Sequence, residues 1–169
     1  MLSGFFRKHT RKDASPQAQP PARERRDIPY DPGLVTALSH KHRMLTMLLV
    51  KASSAAQQEL YDEVRETLVQ FKTGLADHLK RETAELHPYL TAHLKGEDSA
   101  AILKEMRANT RYIERAVEGF LSHYSSYPVS HNTAARFNIE LSGVSEEFCE
   151  RIEKEEASLY TLYLPPEAY

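Results

Sequence analysis

Apolar residues recur at steps of three and four along four separate stretches of the chain, the spacing that lines one face of an α-helix. In the first stretch Leu34, Leu38, Leu45, Leu49 and Ala52 share a face with His42. Asp31 is placed to cap free N–H groups, and Pro32 suits a first turn, where its missing N–H costs no hydrogen bond. This helix is expected to end near Ser53-Ser54. The second stripe runs Leu60, Val64, Leu68, Phe71, Leu75, His78, Glu82 and Leu86, with Pro88 expected to kink or end it. Gly96 closes the segment and Ser99 is the expected cap of the next helix. The third stripe is Met106, Thr110, Ile113, Val117, Phe120 and Tyr124, followed by a loop over Ser125–Ser130. The fourth is Phe137, Leu141, Val144, Phe148, Arg151, Glu155, Leu159 and Leu162, ending before Pro165-Pro166. Four amphipathic helices with short connections predict an all-α, antiparallel up-down-up-down four-helix bundle over residues 30–164.

Composition agrees. The 169 residues suit one domain with a tail and are enough for a sizeable core. Glycine is scarce, at 6 residues, and no alternating pattern of the strand type appears. Residues 1–29 read as a disordered, basic, proline-rich tail, and residues 165–169 as a short C-terminal one. Residues 1–27 hold seven basic against three acidic side chains, a net of +4; the remainder holds fifteen against twenty-one, a net of −6. An acidic body argues against a nucleic-acid partner. Leu2, Phe5 and Phe6 beside Arg7, Lys8, Arg11 and Lys12 suggest a weak membrane-surface or partner contact through residues 1–12, against the plainer reading of a frayed terminus. No signal-peptide pattern and no bilayer-length apolar run is visible, which points to the cytoplasm. The single cysteine, Cys149, can form no internal disulfide and reads as a half-buried hydrophobe.

The informative residues interrupt the apolar stripes: His42, then His78 and Glu82, then Thr110, then Arg151 and Glu155. An unpaired polar group is costly to bury, so charged groups at such positions need partners or a metal. His78 and Glu82, four apart, lie one turn apart on one helix face, and an imidazole with a carboxylate suits Zn, Mn or Fe. The segment from His78 to Pro88 also echoes that from Arg151 to Thr161, with Glu82 over Glu155 and His78 over Arg151. No phosphate loop, paired-cysteine motif or nucleophile elbow is present, and no enzymatic activity is expected. Glu146, Glu147, Glu150, Glu153 and Glu156 read as a solvated face, with docking of a basic partner as the alternative, and Tyr160, Tyr163 and Tyr169 as residues that close the bundle.

Tyr30-Asp31-Pro32-Gly33-Leu34-Val35 leading to His42, Phe71-Lys72 and Leu75 before His78-x-x-x-Glu82, and the ending Glu155-Glu156-x-x-Leu159-Tyr160 together resemble the hemerythrin-like, HHE cation-binding family. The resemblance covers about residues 30–163. It implies a bundle in which histidines and acids from four helices hold two bridged irons. Carried over position by position, His42, His78, Glu82 and Glu155 match as metal ligands, while Thr110 and Arg151 stand where histidines belong. His123 lies about 20 Å from Thr110 along its helix. His87, His93 and His131 sit nearer helix ends and His40 points away, so none repairs the set. Arg151, a permanent cation with a fork of donors, is expected to pair with Glu82 or Glu155 in the place of a second metal. Three states of the site stay open: a polar cluster with no metal, one iron, or two, with one ion ahead of two. The leading reading is a cation-binding or sensing module. Asn109-Thr110, Arg151 and the adjacent acidic pair also look like bacterial anti-sigma regulators of the regulator-of-sigma-D type, which implies the alternative of a metal-free bundle acting on a protein partner.

Overall fold

A computed structural model describes residues 28–169. The contact suggested for residues 1–12, and nearly all of the expected tail, lie outside the described residues. Five α-helical segments follow in order: α1 (Leu34–Gln57), α2 (Tyr61–Arg81), α3 (His87–His93), α4 (Glu97–Ser126) and α5 (Ala134–Lys154). A π-helical turn, Glu82–Leu86, joins α2 to α3, and a second, Glu155–Leu159, extends α5 into a short 3₁₀ turn, Tyr160–Leu162. Because α3 continues the path of α2, the architecture is the expected all-α four-helix bundle, with no strand among the described residues. No described helix is long and apolar enough to cross a membrane.

Several boundaries differ from the sequence reading, each for a local reason. Asp31 Oδ1 accepts the Gly33 N–H at 2.8 Å, but the helix itself begins at Leu34. It runs past Ser53-Ser54 to Gln57 because Ala52, Ala55 and Ala56 are all buried against the core and lose no side-chain entropy in a helix. Glu59 ends it in the left-handed region, φ 61°, with the Leu60 N–H bonded to the Ala55 carbonyl and the Glu59 N–H to that of Ala56, a Schellman closure. Leu60, placed on the buried stripe by its spacing, sits at this turn and is exposed. The regular part of the second helix ends at Arg81, but the path continues through the π turn and past Pro88 into α3. The π turn closes on a His87 N–H bond to the Glu82 carbonyl, and Pro88 falls in the first turn of α3, where its lack of an N–H is tolerated. α4 starts at Glu97, after Gly96 at φ 102°, so Ser99 is already inside the helix. The C-terminal residues fold back rather than trail away. Tyr169 donates to the Leu162 carbonyl, and its ring lies 5.3 Å from that of His93.

The core divides in two. One apolar cluster includes Leu45, Phe71, Ile113, Phe137 and Phe148; the other includes Leu38, Leu86, Tyr89, Met106 and Leu159. Every interrupting polar residue lies between a member of the first cluster and a member of the second on its own helix. His42 falls between Leu38 and Leu45, and His78 with Glu82 between Leu75 and Leu86. Thr110 falls between Met106 and Ile113, and Arg151 with Glu155 between Phe148 and Leu159. A polar layer therefore crosses the whole bundle. Its first half is drawn tight by Gly74, one turn before His78, where a Cβ would stand 3.1 Å from Leu45 Cδ2.

Glu59 holds a conformation that strains an L-residue, and its carboxylate makes only an exposed contact with His131, 3.2 Å long. Glu59→Gly is expected to raise stability by about 0.5–1 kcal/mol, part of the relief being offset by the freer unfolded chain. Urea unfolding checks this: the midpoint moves up with the slope unchanged, and a lower midpoint contradicts the strain.

Candidate metal centre

His42, His78, Glu82 and Glu155 each bring one ligand atom to a common point, and these four atoms lie within 4.8 Å of one another. All four residues are buried, at 1 %, 2 %, 0 % and 0 % exposure. His42 Nε2 is 3.0 Å from His78 Nε2 and 3.5 Å from Glu155 Oε2, and His78 Nε2 is 3.3 Å from Glu82 Oε1. The positions that broke the stripes in the sequence are thus the ones the fold brings together. Both glutamates occupy the same local structure. Each opens a π turn, and the carbonyl of each accepts the N–H five residues on, from His87 and Tyr160 respectively. Such turns recur at functional sites, because one additional residue in the turn re-aims the side chains beyond it.

Arg151 completes the layer as expected, but between both acids rather than beside one. Its Nη2 donates to Glu82 Oε2 at 2.7 Å and stands 2.5 Å from Glu155 Oε1 in an ion pair without hydrogen-bond geometry. Both carboxylate oxygens of Glu155 are buried with no hydrogen-bond donor, as are Nε and Nη1 of Arg151 with no acceptor. Burial works against charge on Glu82, but the hydrogen bond with His78 and the Arg151 guanidinium outweigh it and hold its carboxyl down to about 2. On Glu155 burial prevails, aided by the neighbouring Glu82 charge, and pushes its carboxyl up. Burial also lowers His78, which favours the uncharged ring that a cation requires.

Thr110 contributes nothing to this cluster through its hydroxyl, which bonds back to the Met106 carbonyl of its own helix at 3.0 Å. Two residues given other roles by the sequence belong here instead. Glu156, read as part of a solvated face, is half-exposed but reaches His42 Nδ1 at 2.9 Å. Its carboxylate accepts from Nδ1–H, which orients the ring with Nε2 toward the cluster. Tyr160, read as a bundle-closing residue, donates to Glu82 Oε1 at 3.0 Å and lies 3.3 Å from His42 Nε2. Regular helical spacing hides it, since five residues past Glu155 fall about 140° off that face at 3.6 residues per turn. The signal was present in the echo, where Tyr160 lies over His87. His87 is itself buried with its Nε2 unpaired, although it is not among the four converging residues.

The donors fit a cation. Two imidazole nitrogens and two carboxylates suit iron, manganese or zinc, and an undonated buried carboxylate is a group that a cation would satisfy. Comparison with known families agrees with the geometry: the Hemerythrin HHE cation binding domain matches residues 33–163. No curated protein and no solved structure matches the chain. The match spans all the helices that carry the cluster, and the chain belongs to the hemerythrin HHE cation-binding domain family.

Proposed function

We propose that this chain binds a single transition-metal cation, iron first among the candidates, through His42, His78, Glu82 and Glu155. The observation that carries the reading is the convergence of four buried ligand atoms within 4.8 Å. One ion is favoured over two because Arg151 Nη2 already lies against both carboxylates. Its fixed positive charge repels a second cation, and neither Thr110 nor Arg151 supplies the nitrogen that a second ion needs. Iron when bound would offer redox chemistry and a position for a small ligand. The chain's own residues supply two imidazole nitrogens, two carboxylates and, from Glu156, the orientation of His42. Burial of all four donors favours binding or sensing over turnover of a bulky substrate. The groove of about 820 Å³ between α2 and α4 is lined by none of them.

The Arg151–Glu82 pair favours a second reading, in which the cluster neutralises itself without metal and the bundle acts as a regulator through contact with a protein partner. Metal content separates the two. Protein purified without oxygen and reconstituted with Fe(II) is expected to retain about one iron per chain, and His78→Ala to retain none above background. Glu156→Gln should keep the fold and weaken iron binding about 10–100-fold, as loss of a histidine's orienting partner does. Equilibrium dialysis measures it. Wild-type protein that retains no metal would leave the second reading standing.

Arg151→Ala tests the charge balance directly. In metal-free protein it leaves two buried acids with no cation between them and is expected to lower stability by about 3–5 kcal/mol in urea unfolding. Added metal should restore part of that loss, since an ion that binds only the folded chain stabilises it. A loss below about 1 kcal/mol would contradict the role given to the pair.

A further inference from the structure

Tyr160 has more contacts than a bundle-closing residue requires. Its hydroxyl touches two atoms already placed at the candidate cation, Glu82 Oε1 at 3.0 Å and His42 Nε2 at 3.3 Å. Those atoms belong to the π turn that follows α2 and to α1, whereas Tyr160 follows α5, so the contact spans the bundle. The ring is buried and lies nearly parallel to that of His42, 5° between planes and 5.6 Å between centroids, which fixes the direction of the C–O bond. A buried phenol needs only one acceptor. The Glu155–Leu159 π turn adds the residue of phase that brings this oxygen to the polar layer.

From the two contacts and the fixed direction of the C–O bond, we infer that Tyr160 is a fifth donor to the cation proposed above and that it binds Fe(III) as a phenolate oxygen. On binding, the O–H bond breaks, its electron pair bonds to the metal, and the proton leaves to water. The inference rests on the cation-site reading, but fails separately from it.

The test loads the full chain with ferric iron supplied as its nitrilotriacetate complex, removes excess, and records iron content, the visible spectrum and resonance Raman scattering. A phenolate bound to Fe(III) gives a visible charge-transfer band, and excitation in that band enhances tyrosine ring vibrations. Wild type is expected to show both, at about one iron per chain. Tyr160→Phe should retain iron and lose the band; Tyr163→Phe, whose hydroxyl instead accepts the Asp31 N–H, should keep it. Protein loaded with Zn(II) should show no band. Iron held by wild type without the band, or a band that survives in Tyr160→Phe, overturns the role of Tyr160 and leaves the cation site standing. No iron in wild type overturns both. The Raman spectrum of wild type decides the matter even where the variant fails to fold.

Discussion

Buried charge that must be neutralised in place is the constraint on which this bundle depends. Two carboxylates, two imidazoles and a guanidinium lie at 0–4 % exposure between two apolar clusters, where bulk water cannot screen them. Isolated ions in such a place cost several kcal/mol each, so the layer persists only because its members answer one another. Arg151 sets the balance. With the hydrogen bond from His78 it holds Glu82 charged, while burial pushes Glu155 toward its neutral form. The same residue that permits a stable metal-free layer limits how much positive charge the layer can still take.

The two halves of the molecule solve this problem alike. Glu82 and Glu155 each begin a π turn, each follows a core-facing residue by four, and each is followed at five by a buried ring, His87 or Tyr160. A proline cannot be the common cause, because Pro88 has no counterpart after the second turn, where Thr161 stands. The shared cause is the layer itself. A π turn brings a residue at i+5 back toward the face held by residue i, so each helix presents three polar groups inward where regular α geometry offers two. Glu82 on one side meets Arg151 and Tyr160 on the other, and His87 is buried without a partner for its Nε2.

Periodicity is what made part of the site legible in the sequence. His42, His78, Glu82, Arg151 and Glu155 were visible because each breaks an otherwise apolar run at helical spacing, and the fold brings all five to one layer. The antiparallel bundle was legible for the same reason. Tyr160 and Glu156 were not, and for different physical reasons. Tyr160 is concealed by a change of helical phase that begins a turn earlier, and nothing in Glu155-Glu156-Ala157-Ser158-Leu159 signals a wider turn. Glu156 lies on the outer side of its helix and reaches His42 only because a long carboxylate side chain can fold inward around the helix surface. Alanine-rich helix ends misled in a smaller way: Ala55 and Ala56 carry α1 beyond the serines because small residues let neighbouring helices close on them.

The division of the apolar core has a consequence for how the molecule tolerates change. The two clusters share no residue, and a stiff sheet of ion pairs and hydrogen bonds lies between them. A methylene removed from Phe137's end cannot be refilled by movement from Tyr89's end without shifting that sheet. Substitutions at opposite ends should therefore combine almost additively, while pairs within one end should not. The bundle is continuous in its backbone but behaves as two compartments in its packing, and either can drift in sequence without its neighbour having to change in step.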